Sequence, residues 1–243
     1  MTFSIVARCP TSFRLGVAVA TAVPAVGSMC PFVRAGVGAV STQSWVNPYL
    51  ALDGLERLAR GQSAPEALAA VMAQDDGREL RQIGMVDAMG RVAAWSGTEC
   101  TPWFGHEVGD GFTVQGNMLT GPEVIAAMAA AYRASEGAPL DERLMRALEA
   151  GDAAGGDRRG RQSASLCVYS TEFYPALDVR VDEHAAPVAE LRRVLEIARL
   201  QLVPFVDGMP RRGGSPGPAP AAVTAMLALP PPARPGGGGS GPA

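Results

Sequence analysis

Thr2-Phe3-Ser4-Ile5-Val6-Ala7-Arg8 and Leu15-Gly16-Val17-Ala18-Val19-Ala20-Thr21 are the stretches on which the fold turns. The first is extended and half-alternating. The second is a short apolar run of small and β-branched residues. Cys9 to Arg14 lies between them and carries the turn-forming group Pro10, Thr11 and Ser12. Together they predict a β-hairpin.

The pattern continues on both scales. Gly27 to Arg34 reads as a loop and Gly36 to Gln43 as a third strand. Tyr49 to Arg60 carries Leu50, Leu52, Leu55 and Leu58 and stops at Gly61, which predicts a helix. Ser63-Ala64-Pro65-Glu66 predicts the next one, over 64–73: Ser63 caps, Pro65 sits in the first turn and Glu66 closes a capping box. Gln82 to Asp87 and Arg91 to Ser96, joined by Ala88-Met89-Gly90, form a second hairpin. Gly111 to Gln115 is a strand, and Pro122 to Ala134 and Leu140 to Ala150 are helices. Ser163 to Tyr169 and Leu177 to Val181 are strands, and Pro187 to Leu202 is a closing helix. Hairpins outnumber strand–helix–strand crossovers, so a doubly wound sheet is disfavoured. The expected class is α+β: a four-layer α-β-β-α sandwich of antiparallel sheets.

Composition divides the chain near Gly208. Residues 208–243 hold nine prolines, nine glycines, three arginines and no acid, a make-up that cannot bury enough apolar surface to offset its ordering entropy. The expectation is a domain over 1–207 and a disordered Pro/Gly-rich tail over 208–243. The net charge of -3 weighs against a nucleic-acid partner. No apolar run suits a membrane span, and Met1 to Arg8 has no basic leader, so a cytoplasmic protein is expected. The four cysteines lack a CxxC pair and only two histidines occur, so no metal site is expected. Lysine is absent and all 21 basic residues are arginine, which excludes lysine Schiff-base, phosphate-loop and general-base chemistry.

Thr2 follows Met1 directly. Removal of Met1 gives one residue both a hydroxyl and a free α-amine, whose ordinary pKa of about 7.7–8.0 leaves a neutral fraction able to take the hydroxyl proton. The start of a core strand would hold this pair rigidly.

A resemblance supports the same point. The stretches MTFSIVAR, LGVAVAT, RAGVGAVSTQSWVNP, RELRQIGMVDAMGRVAAWSG, VQGNMLTGPEV, AAGGDRRGRQSASL and LDVRVDEHAAPVAELRRV resemble a bacterial family designated domain of unknown function 1028. The likeness runs from Met1 to about Leu200. That family is similar in fold to N-terminal-nucleophile amidohydrolases, which implies the α-β-β-α sandwich and a nucleophile at Thr2. The family usually has aspartate where this chain has Cys9. Proteasome-like relatives use a lysine beside the nucleophile. Here Arg34 is the candidate for that fixed positive charge, with an ordinary salt bridge as its other reading.

Further candidates follow from local chemistry. Gln43, at the end of a strand, can donate to a substrate carbonyl or belong to a capped strand end. Asn117, after Gln115-Gly116, can steady an oxyanion or bond its own backbone in a turn. Thr120-Gly121-Pro122-Glu123 opens a helix. In Gly155-Gly156-Asp157-Arg158-Arg159-Gly160-Arg161-Gln162-Ser163, three arginines on glycine hinges can clamp an anion, and Arg161 and Ser163 border the next strand. The alternatives are a surface loop with Asp157 paired to an arginine, or a subunit contact. Asp178 and Asp182 would sit about 13 Å apart along a strand, too far for one ion. Cys30 needs an imidazole that no spacing supplies.

The expected function is an N-terminal-threonine amidohydrolase for a small amide-like substrate. Thr2 and Asn117 would be catalytic, and Arg34, Gln43, Arg161 and Ser163 would bind substrate. No cofactor is needed. The alternative is a non-catalytic scaffold for a small anionic ligand or for assembly, and a homo-oligomer is expected in either case. Deleting residues 208–243 is expected to leave thermal stability nearly unchanged, within about 2–4 °C of the full chain. A large fall in melting temperature would place the tail within the fold.

Overall fold

The hairpin over Thr2–Arg8 (β1) and Leu15–Thr21 (β2) is the centre of the molecule. The computed structural model describes residues 2–214 and 217–241. The remaining strands are β3 (Pro31–Arg34), β4 (Gly38–Ser44), β5 (Arg81–Asp87), β6 (Val92–Ser96), β7 (Gly105–Gly109), β8 (Phe112–Asn117), β9 (Ser163–Tyr169) and β10 (Leu177–Val181). The helices are α1 (Pro48–Ala59), α2 (Ala64–Met72), α3 (Glu123–Ala134), α4 (Leu140–Ala153), α5 (Pro187–Asp207) and α6 (Ala221–Ala228). One sheet runs β10-β9-β2-β1-β8-β7 and the other β3-β4-β5-β6, with every pairing antiparallel. Helices α3, α4 and α5 cover the outer face of the first sheet, and α1 and α2 cover the second. This is the four-layer α-β-β-α sandwich expected from the hairpins.

Local chemistry sets the helix starts, while α4 and α5 run past the ends expected at Ala150 and Leu202, to Ala153 and Asp207. Asn47 accepts the Tyr49 N–H at 3.1 Å, and Ser63 and Glu66 form the capping box that starts α2. Two strands depart from the sequence reading. Pro31–Arg34 is the edge strand β3, not a loop: proline is tolerated at the first position of an edge, where no ladder donor is needed. Gly105–Gly109 forms the other sheet's edge strand β7, which buries no side chain and so carries no hydrophobic period. The segment after Gly208, expected to be disordered, includes α6, and none of its described residues is buried.

The strand period of two divides β1 between two environments. Phe3, Ile5 and Ala7 pack into the core beneath α3 and α4. Val6 packs with Val17, Ala39 and Val86 between the sheets. On the same inward face, toward the start of β1, polar residues replace apolar ones. Gln43, Gln82 and Gln115 are fully buried there. A directed chain of hydrogen bonds joins the sheets. Thr113 donates to Gln115 Oε1 (3.1 Å), and Gln115 Nε2 donates to Ser4 Oγ (2.5 Å). Ser4 donates to Gln43 Oε1 (2.7 Å), and Gln43 Nε2 donates to Gln82 Oε1 (2.8 Å). Gln82 Nε2 donates to Ser96 Oγ (2.8 Å) and to the carbonyls of Gly105 (3.1 Å) and Gly116 (2.8 Å). Those two carbonyls can only accept, so they fix which way the Gln82 amide points. Gly84 supplies the room: a Cβ there would lie 2.2 Å from Gln115 Oε1.

A second fastening lies between helices. Arg192 of α5 reaches Glu142 (2.7 Å) and Glu149 (2.8 Å) of α4, while Arg199 reaches Asp141 (2.6 Å) and Glu142 (2.9 Å). The hydrogen bond from Arg192, joined by those from Arg146 and Arg199, outweighs partial burial and pulls the Glu142 carboxyl down to about 2.

Two outcomes follow. Gln82→Leu removes the acceptor of the Asn117 amide, one acceptor of the Gln43 amide, and the donor to Ser96 and to the carbonyls of Gly105 and Gly116, so urea unfolding should show a loss of about 2–5 kcal/mol. An unchanged midpoint would mean that the sheets do not depend on this amide. Because the folded pKa of Glu142 lies below its ordinary 4.5, its contribution is complete above that value and is lost as pH falls from about 4.5 to about 2. Glu142→Gln should therefore cost about 1–3 kcal/mol at pH 7 and flatten the stability profile in that acid window. A variant profile parallel to the parent's would contradict this.

Candidate functional site

Four strands of the six-stranded sheet finish level at one end. Thr2 of β1 pairs with Thr21 of β2 on one side and Asn117 of β8 on the other, and Thr21 pairs with Ser163 of β9. Directly opposed residues of an antiparallel ladder share a face, with Cβ atoms about 4.5–5.5 Å apart. Three hydroxyls and an amide therefore stand in a row, facing inward. Thr2 Oγ1 donates to Thr21 Oγ1 at 3.3 Å. Gln43 Nε2 donates to the Thr2 carbonyl at 3.2 Å, which fixes the first residue of β1 from the opposite sheet. Asn117 Nδ2 donates to Gln82 Oε1 at 2.9 Å, so the same network orients this amide.

Thr2 and Asn117 line a cavity of about 720 Å³ between the sheet ends. Its wall is mostly apolar: Val23, Val26, Met29, Trp45, Leu80 and Met118 all border it. Ser44 and Met118 line it with φ values of 71° and 51°, in the left-handed region that side chains other than glycine rarely adopt. Such conformations persist where surrounding structure dictates them, and they are often found at functional sites.

Loops on one side are fastened by two residues of the glycine- and arginine-rich segment and the strand that follows it. Ser163 donates to the Val23 carbonyl (2.6 Å) and accepts from the Val26 N–H (3.1 Å), which holds that wall in place. The Asp157 side chain is almost wholly buried and accepts the Ala22 N–H at 3.0 Å. It also accepts from the Arg159 N–H (2.8 Å) and Nη2 (3.2 Å). Asp157 thus sets the position of Arg159, whose side chain borders the cavity.

The expected site residues fall into three groups. Thr2 and Asn117 come together at the cavity floor. Gln43 and Ser163 lie close by, but their polar atoms are engaged in holding Thr2 and the Val23–Val26 loop. Arg34 and Arg161 lie elsewhere. Arg34 pairs with Gly38 at the far end of β4, about 20 Å along the strand from Ser44, and its guanidinium meets Glu56 at 3.5 Å. Arg161 turns toward α4 and donates to Asp152 at 2.6 Å. The arginine at the cavity is Arg159. The Asp157-x-Arg159 spacing, in which an aspartate accepts the N–H two residues on, is the sequence signal for it.

Cys30 also borders the cavity, and burial pushes its thiol up to about 12, so it stays protonated at neutral pH. Glu123 folds back over Gly121 at the start of α3, where a Cβ would lie 2.2 Å from its carboxylate. Among the described residues, no three His, Cys, Asp or Glu side chains gather closely enough to hold a metal ion, and no helix is long and apolar enough to cross a membrane.

The profile of a family described as a family of unknown function, DUF1028, matches residues 2–191. A crystal structure of a DUF1028 protein from Silicibacter pomeroyi is similar, with 30% identity and a TM-score of 0.75 over 81% of this chain and 88% of that one. Weaker likenesses include Anbu, an ancestral beta-subunit, from Yersinia bercovieri (13% identity, TM-score 0.38, 86% of this chain and 98% of that one). Another is eukaryotic HslV from Trypanosoma brucei (10% identity, TM-score 0.38, 68% of this chain and 98% of that one). Comparison with curated proteins finds no match. With its family profile spanning most of the sandwich and a solved relative sharing the fold, the chain belongs to DUF1028, the family of unknown function.

Proposed function

We propose that the chain is an N-terminal-threonine amidohydrolase. The observation that carries this reading is the row Thr21–Thr2–Asn117 at the floor of a cavity, with Thr2 as the first residue of a central strand. Met1 lies outside the described residues, and its removal is part of the proposal. The Thr2 α-amine then takes the hydroxyl proton, directly or through a water, as Oγ1 attacks an amide carbonyl. Asn117 uses one N–H on Gln82 and offers the other to the oxyanion. Arg159, ion-paired with Asp157, takes the role first considered for Arg34 and Arg161, a guanidinium that orients an acidic group. Gln43 and Ser163 position the machinery without touching the reacting atoms. Action in the cytoplasm belongs to the same reading. So does self-association, which the exposed Tyr49 and Leu52 of α1 favour.

Intact mass and a reactive β-lactone test the mechanism together. The expected result is a chain lacking Met1 that gains one acyl group on Thr2. Thr2→Ala should abolish labelling, and Asn117→Ala should slow it by about 10²–10³-fold. Retained Met1 would remove the amine from the nucleophile's residue and leave the alternative of a ligand-binding scaffold. Labelling that survives Thr2→Ala would move the chemistry to another group and overturn the role of Thr2.

A further inference from the structure

The cavity is too large and too apolar for a small polar amide. At about 720 Å³ it falls within the ~300–1,000 Å³ of sites that enclose drug-sized ligands. Val23, Met29, Trp45 and Leu80 line it and still expose much of their surface, with Trp45 at 72%. Clustered apolar side chains left in water mark a surface meant to be covered. Lining the same cavity as Thr2, they point to a ligand whose apolar part lies along this wall. Arg159, whose Nε and Nη2 donate to the buried carboxylate of Asp157, borders the same cavity, and a guanidinium there suits a carboxylate. Glu99 also borders it and is exposed, which opposes a second carboxylate on the ligand.

Resting on the amidohydrolase reading, we infer that the substrate class is N-acyl amino acids: an extended apolar acyl group, an amide, and an amine half bearing one carboxylate. The acyl chain lies against Trp45 and its apolar neighbours, and the carboxylate meets Arg159. The amide carbonyl then sits over Thr2 and Asn117. A bond forms from Thr2 Oγ1 to the acyl carbon and the C–N bond breaks. The hydroxyl proton passes through the α-amine to the departing nitrogen. Water then adds to the ester, releasing the fatty or aryl acid and restoring the hydroxyl. The products are one carboxylic acid and one free amino acid.

Calorimetry on Thr2→Ala separates binding from turnover, with melting temperatures confirming that each variant is folded. The probes are N-octanoylglycine, N-acetylglycine and N-octanoylglycine methyl ester. N-octanoylglycine should bind at least about 100-fold more tightly than N-acetylglycine, given the six additional methylenes, and about 10-fold more tightly than its ester. Adding Arg159→Gln should erase the preference for acid over ester but keep the chain preference. Adding Trp45→Ala should reduce the chain preference alone. Equal binding of acetyl and octanoyl probes, equal binding of acid and ester, or binding of none would overturn the assignment. The chain with Thr2 intact should release glycine from N-octanoylglycine. Binding with both preferences but no glycine release would overturn the amidohydrolase reading and leave the ligand class standing.

Discussion

The carbonyl of Thr2 is held by a glutamine from the opposite sheet, and most of the site follows from that contact. Gln43 crosses the gap between the sheets to reach it, and can do so only because its own amide is fixed on both sides by Ser4 and Gln82. The network runs in one direction, from Thr113 to Ser96, and Ser96 Oγ lies 2.9 Å from His106 Nδ1. Hydrogen bonds arranged head to tail polarise one another in a low dielectric. An interior of this kind is costly if any member is removed, because each leaves a buried partner unsatisfied. It also resists sliding, since a register shift would break several directed bonds at once.

The space between the sheets thus has two ends with different work. At one end, Val6, Val17, Ala39 and Val86 bind the layers by burial. At the other, amides and hydroxyls bind them by geometry and leave a row of polar groups facing the cavity. Burial fixes separation, whereas the hydrogen bonds fix orientation. A strand's first residue ordinarily frays. Here it is paired on both sides and held from above. Asp157 and Ser163 extend the same logic outward, tying the loops that form the wall to the strand ends beneath them.

Much of this architecture was legible in the sequence. The hairpins, the capping box at Ser63 and Gly61 just past α1 carry local signals, and local signals sufficed for the layers. Thr2 stood out by following Met1 and Asn117 by following Gln115-Gly116, and the fold brings both to one cavity. What escaped is long-range. The alternation Thr2-Phe3-Ser4-Ile5 looks like a strand with one wet face, yet the polar face meets a second sheet whose glutamines complete it. Nothing local to Gln82 says that the amides of Gln43, 39 residues before it on β4, and Asn117, 35 residues after it on β8, will both meet its side-chain oxygen. Arg159 and Arg161 differ by two positions and have the same chemistry. Asp157 and Asp152 decide which of them turns to the cavity, and only the fold brings those carboxylates into place. Strands β3 and β7 escaped for a simpler reason: edge strands with little burial carry little period.

The start of β1 is held from the opposite sheet. Native-state hydrogen exchange of the β1 amides, in the parent chain and in Gln43→Leu, tests it most directly. Phe3 and Ser4 should exchange in the parent only through global unfolding, and in the variant through local opening while the middle of β1 stays protected. If those amides exchange like a frayed end in both proteins, or stay equally protected in both, Gln43 does not hold Thr2.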